Sequence, residues 1–283
     1  MSILNSIPDG FMIFGHAIKF YGIISALSYF LGVLLSCHLA KKRGLKSDDI
    51  LLLACYVIPL AIIGARVYYV LFRLEYYTNF WDVFKIWEGG LAFYGGMIGG
   101  ALGVIIYCLI HKKSFLALID IIAPSMILAQ ALGRWGNFFN QEAYGYYIEN
   151  PNLQWFPFGV YIENCTKTTE GCLCGGSGWH LATFFYESLW NFLSFIVLYI
   201  MINKTNFKQN GMIAASYLIL YGTGRIFIEG LRLDSLYLGS IRISQLLSGI
   251  FILVGITAFI IYFIKNKKKE DSFDKIMKIL KED

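Results

Sequence analysis

The sequence predicts an all-α polytopic membrane protein of about seven transmembrane helices, with its N-terminus outside and its C-terminus in the cytoplasm. Three observations carry that expectation. Of the 283 residues, 57% are hydrophobic and only 15% are charged, against about 25% charged in an ordinary soluble domain. Seven apolar stretches are long enough to cross a hydrocarbon core, which takes about 20 helical residues. Lys and Arg cluster in alternate connections between those stretches, the pattern of cytoplasmic loops. The net charge of +5 is small and concentrated in these connections, which argues against nucleic acid as a partner.

The elements follow in order. No basic segment and small-residue cleavage site flank the first apolar stretch, so 18–38 is expected to stay as a span rather than leave as a signal peptide. Lys41, Lys42, Arg43 and Lys46 place the next connection inside. After the span 50–72, residues 73–89 carry Tyr76, Tyr77, Phe80, Trp81, Phe84 and Trp87 with few charges. This composition predicts a helix lying in the headgroup layer. The span 90–110 ends at the cytoplasmic Lys112 and Lys113, and 115–133 returns outward to the largest loop, 134–180. Spans 181–202, 211–229 and 243–264 complete the set, with Lys204 and Lys208 inside. Residues 1–264 read as one transmembrane domain and 265–283 as a basic cytoplasmic tail, amphipathic through Phe273, Ile276, Met277 and Leu280. Cys165, Cys172 and Cys174 fall in the outer loop, where a disulfide is chemically allowed.

Charges inside spans cost about 2.5–3.5 kcal/mol each near the helix centre, which marks them as functional candidates. In the sixth span Tyr221, Arg225, Glu229 and Arg232 recur every three or four residues and share one helix face. A structural Arg225–Glu229 pair would explain only half of that stripe. At the end of the fourth span Gln130, Arg134, Asn137 and Gln141 form a second stripe, followed by Asn140 and Glu142 where the helix should break. Arg66 lies well inside the second span and needs a partner or a polar cavity. Tyr21 opens the first span near the outer interface. In the third span Gly95, Gly96, Gly99, Gly100 and Gly103 permit close helix packing and could also admit a lipid headgroup beside Tyr94. The arginine fork matches phosphate geometry, so Arg134 and Arg225 suggest a site for an anionic phospholipid headgroup entered from the outer leaflet.

The stretch Gly133-Arg-Trp-Gly-Asn-Phe-Phe-Asn-Gln-Glu-Ala-Tyr-Gly145 resembles the signature of bacterial prolipoprotein diacylglyceryl transferases. Phe20-Tyr21-Gly22, Gly64-Ala-Arg66, the glycine segment of the third span, Tyr186-Glu187-Ser188 and Tyr221…Arg225…Glu229…Arg232 match that family in the same order. The resemblance implies an enzyme of the bacterial cytoplasmic membrane with two substrates, phosphatidylglycerol and the lipobox cysteine of a preprolipoprotein signal peptide. It would form a thioether, release glycerol phosphate and need no metal or other cofactor. By motif, Arg134, Arg225, Glu142 and Tyr94 are expected to be catalytic. Tyr21, Arg66, Asn137, Asn140, Gly145, Tyr221, Glu229 and Arg232 are expected to bind substrate. Many members of the family carry histidine where this chain has Tyr94, which leaves the proton acceptor open among Tyr94, Glu142 and His180. A rival reading from another class is a non-enzymatic carrier or flippase for an anionic lipid. It would be favoured by inverted repeats between the two halves, which the sequence does not display.

Overall fold

In the computed structural model the apolar stretches become seven long helices: α1 (Phe20–Ala40), α2 (Ser47–Phe72), α3 (Phe93–His111), α4 (Phe115–Phe139), α5 (Thr183–Asn203), α6 (Met212–Gly230) and α7 (Ile243–Glu282). The structure describes residues 9–13, 16–77, 79–86, 89–163, 177–204, 210–233, 237–239 and 241–282. Cys165, Cys172 and Cys174 lie outside them. A helix satisfies its own backbone hydrogen bonds, which is why lipid-embedded sequence adopts it. Six of the seven helices are long and apolar enough to cross a membrane. The exception, α6, has 19 residues and includes Arg225 and Glu229. Large apolar side chains such as Leu109 (74% exposed) and Leu253 (66%) point outward from the helices, a surface suited to lipid and not to water.

The architecture is not purely helical. Among the described residues three short antiparallel strand pairs accompany the helices: β1 (Gly10–Ile13) with β2 (His16–Lys19), β3 (Gly159–Ile162) with β4 (Gly178–Leu181), and β5 (Tyr237–Leu238) with β6 (Ile241–Arg242). Between α2 and α3 the expected interfacial helix is replaced by two short 3₁₀ turns, Leu74–Tyr76 and Phe80–Phe84. Their aromatic residues stay exposed, Phe80 at 70% and Trp81 at 69%. The tail does not form a separate element, because the backbone of α7 runs on to Glu282.

The chain divides into two compact units, one of Val33–Ile121 and one of the residues on either side of it. In the first, α2 and α3 touch along the predicted glycine stripe. A Cβ added at Gly103 would come within 2.9 Å of the Val57 Cα, and one at Gly99 within 3.2 Å of the Ala61 Cα. The stripe is thus filled by helix backbone at those two positions; the expected second use, admitting a headgroup, concerned the glycines at its outer end, where a Cβ at Gly95 would lie 2.9 Å from the Gly64 carbonyl carbon. A buried ion pair, Arg43 to Asp120 at 3.3 Å, and a second pair, Lys113 to Asp49 at 2.9 Å, close the other end. In the second unit α6 is gripped from two sides. Gly224 meets the indole of Trp190 on α5, and a Cβ at Gly222 would lie 2.8 Å from the Ser248 carbonyl oxygen on α7. The β3–β4 pair adds a small core of Val160, Ile162, Ala182 and Phe184, against which Phe138 and Tyr144 pack.

Candidate active site

α4 extends through Phe139, so Arg134 and Asn137 project from its last turns. The Arg134 Nη1 donates weakly to the Asn137 Oδ1 at 3.4 Å. Beyond the helix, the Asn137 and Asn140 amides both donate to the Glu142 Oε1, at 2.8 and 3.3 Å. These bonds hold an exposed carboxylate in a fixed place. Gln141 does not join the stripe. Its backbone turns to a positive φ of 50°, and its side chain accepts the Glu163 N–H at 2.8 Å. The ring of Tyr21 lies against α4: a Cβ at Gly136 would come within 2.8 Å of its Cδ2. Tyr21 is within electrostatic reach of Glu142 and Arg134.

From α6 come Tyr221, Arg225 and Glu229. Arg225 Nη2 lies 2.8 Å from the Glu229 Oε2, four residues on, and 3.5 Å from the Ser244 hydroxyl at the start of α7. Tyr221 stacks on Tyr217, with centroids 5.7 Å apart, and feels the charges of Glu187, Arg225 and Arg134. The two stripes meet at a residue to which the sequence assigned no role. Glu187, on α5, accepts from the Arg134 Nη2 at 2.6 Å and from the Arg225 Nη1 at 3.0 Å. Its side chain is 4% exposed, against 22% for Arg134 and 14% for Arg225. Such a buried charge persists only when paired and hydrogen-bonded, and here each oxygen has its own arginine. The rule that intramembrane charges are functional candidates would have found Glu187 had it been applied to the fifth span.

Gly145 sits where backbone segments converge. Its N–H donates to the Leu181 carbonyl at 2.9 Å, and it forms a bridge with Arg232 just past α6. A Cβ there would come within 2.7 Å of the Leu231 carbonyl oxygen and 2.8 Å of the Thr183 Cγ2, so only glycine fits. The His180 ring nitrogen Nδ1 lies 2.9 Å from the Gly145 carbonyl oxygen. A carbonyl can only accept, so Nδ1 carries the proton. His180 is fully buried. Burial pushes its pKa below the ordinary imidazole range, and the bond to Gly145 only partly opposes this. That geometry makes His180 a brace for the loop. Arg242, which sequence reasoning passed over, donates to the Glu229 carbonyl at the end of α6 and to the Tyr237 hydroxyl at 2.9 Å. Nothing in its sequence context distinguishes it from other basic residues near a helix end.

Two expected site residues belong to the Val33–Ile121 unit. Tyr94 lies in the first turn of α3. Arg66, expected to bind substrate, instead directs its whole fork at one loop. Nε donates to the Val83 carbonyl (2.7 Å), Nη1 to Gly89 (2.6 Å) and Gly90 (3.0 Å), and Nη2 to Asp82 (2.8 Å) and Lys85 (3.2 Å). Gly89 and Gly90 hold positive φ angles of 94° and 76°, conformations that suit glycine. Five acceptors match the five N–H donors of a guanidinium, leaving none for a phosphate.

Comparison with known proteins shows the family. The sequence model of the family described as prolipoprotein diacylglyceryl transferase matches residues 8–261. Phosphatidylglycerol–prolipoprotein diacylglyceryl transferase 1 of Clostridium perfringens strain 13 is 45% identical over 262 residues, covering 93% of this chain and 97% of that protein. The Clostridium botulinum strain Langeland protein of that name, without the numeral, is 44% identical over 263 residues, covering 93% of this chain and 98% of its own. Its Streptococcus agalactiae counterpart is 40% identical over 245 residues, 86% of this chain and 91% of its own. This chain belongs to the prolipoprotein diacylglyceryl transferase family.

Proposed function

We propose that the protein transfers the diacylglyceryl group of phosphatidylglycerol to the lipobox cysteine thiol of preprolipoproteins, forming a thioether and releasing glycerol phosphate. The observation that carries this reading is the pair of arginines, Arg134 and Arg225, joined through Glu187 in a chain of this family. The sulfur attacks the glycerol carbon that bears the phosphate ester. The C–O bond breaks and its electron pair leaves on a phosphate oxygen. Donors fixed where that charge grows lower the barrier most, and two forked cations suit a phosphodiester. Their field also favours the thiolate, the nucleophilic form of a group whose free pKa is about 8.5.

What supports Glu142 as the proton acceptor is its exposure and its fixed position, with one oxygen held by two amides. Tyr94 is assigned a positioning role toward the headgroup, since a neutral phenol donates a hydrogen bond and is a weak base. Arg66 holds the 82–90 loop. The alternating basic connections support seven spans, an outward N-terminus and a cytoplasmic C-terminus in the bacterial cell membrane. Purified protein, phosphatidylglycerol vesicles and a synthetic lipobox peptide test the function directly. Diacylglyceryl thioether and glycerol phosphate should accumulate in equal amounts. Lipid movement between leaflets without either product would establish the carrier reading instead.

A further inference from the structure

Two guanidinium groups brought to one phosphate repel each other, so their spacing needs a fixed anionic support. Glu187 has the geometry for that. It stands on α5 between an arginine from α4 and an arginine from α6, and gives one oxygen to each, at 2.6 and 3.0 Å. The carboxylate is more enclosed than either arginine, so the guanidinium groups and not the carboxylate form the accessible part of the site. Trp190, one turn further along α5, donates to the Leu220 carbonyl on α6 at 2.8 Å. The Ser188 hydroxyl donates to the Ala131 carbonyl on α4 at 2.8 Å. The helix backbones around Glu187 are therefore tied on both sides, and its carboxylate has a fixed origin.

We propose that Glu187 is a positioning residue for diacylglyceryl transfer: it sets the spacing and orientation of the Arg134 and Arg225 forks that receive the phosphate of the lipid. This rests on the function proposed above. Glu187 and Glu229 also offset the formal charge of the two arginines. The headgroup therefore binds to aligned donors more than to uncompensated charge. A specific kinetic consequence follows. Removing the Glu187 charge leaves the site more positive, which holds or tightens binding of an anionic lipid, while the misaligned forks stabilise the departing phosphate less. Turnover falls and the Michaelis constant does not rise.

The experiment compares the parent protein with Glu187→Gln and Glu187→Asp, purified in detergent and assayed with phosphatidylglycerol and lipobox peptide, with rates expressed per folded molecule. Glu187→Gln should lower kcat by about 100-fold, the scale of an ångström-sized misplacement, with KM for the lipid unchanged or lower. Glu187→Asp keeps the charge but is one methylene shorter and cannot span both arginines, so its kcat should fall between the two at the parent KM. Arg134→Lys should cost far less in the Glu187→Gln background than alone, because the two residues act as one unit. Parent-like kcat in both variants, a loss confined to KM, or full additivity with Arg134→Lys would overturn the proposal. If Glu187→Gln does not fold, Glu187→Asp decides on the same kcat and KM readout. A parent protein that forms no thioether overturns the function itself, whereas an active parent with parent-like variants overturns only the role of Glu187.

Discussion

Replacing Gly145 by alanine adds one methyl group where three segments already meet. The new Cβ would lie 2.7 Å from the Leu231 carbonyl oxygen, 2.8 Å from the Thr183 Cγ2 and 2.9 Å from the Leu181 Cβ. Ordinary non-bonded separations are about 3.5–4.0 Å, so the loop must retreat by roughly 1 Å. Overpacking of this kind costs about 1–3 kcal/mol. The retreat also strains the Gly145-to-Leu181 bond and the His180 brace, both 2.9 Å long. A shift of 1 Å in a site-bearing loop can lower a rate by about 100-fold, because Glu142 and Arg232 are attached to the segments that move. The assay is thioether formation per folded molecule, read alongside thermal unfolding in detergent. Gly249→Ala on α7 is the control, since a Cβ there meets nothing within 4 Å. It should leave activity unchanged. A Gly145→Ala protein that works at the parent rate, or melts no differently from the control, would refute the claim that this glycine sets the geometry of the site.

Four further outcomes are expected. Arg134→Lys keeps the charge but loses the planar fork; it should insert normally and lose about 100-fold or more in turnover, and near-parent turnover would remove Arg134 as a bidentate phosphate ligand. Tyr94→Phe should cost about one hydrogen bond, roughly fivefold, and Tyr94→His should stay active; a loss of several orders of magnitude, recovered at high pH, would make Tyr94 the base. His180 has a native pKa below its unfolded value of about 6.5. As the pH falls below that value the unfolded chain takes up the proton first, so native stability is lost down through the native pKa. Melting temperatures between pH 7.5 and 5 should fall more steeply for the parent than for His180→Gln, and identical slopes would count against the brace. For orientation, a cysteine placed at Lys204 should resist membrane-impermeant labelling of intact cells, and ready labelling would invert the proposed topology.

The helices were legible because lipid leaves the backbone little choice. The two site stripes were legible in part, since Arg134 with Asn137, and Arg225 with Glu229, follow helical spacing within one element. The same rule failed at Gln141, where a positive φ ends the helix before the stripe can continue. Aromatic content placed 73–89 at an interface but could not specify its local geometry, and two 3₁₀ turns replaced the expected helix. Glu187 was visible as a charge inside the fifth span, but its partners were not. Its significance lies in contacts 38 and 53 residues away along the chain, which no periodicity within α5 encodes. Arg66 shows the reverse failure: its position inside a span was read correctly as needing partners, but backbone carbonyls supplied them all.

That supply has a timetable. The carbonyls that receive the Arg66 fork lie 16 to 24 residues downstream, so they have not yet been made when Arg66 itself is joined to the chain. At synthesis rates of about 5–20 residues per second, the guanidinium waits roughly one to five seconds for its last acceptor. Until the loop folds back onto it, α2 carries an uncompensated charge that disfavours its release into lipid. Substitutions in 82–90 that prevent its carbonyls from converging would then act at birth, lowering the yield of inserted chains before any catalytic defect could be measured.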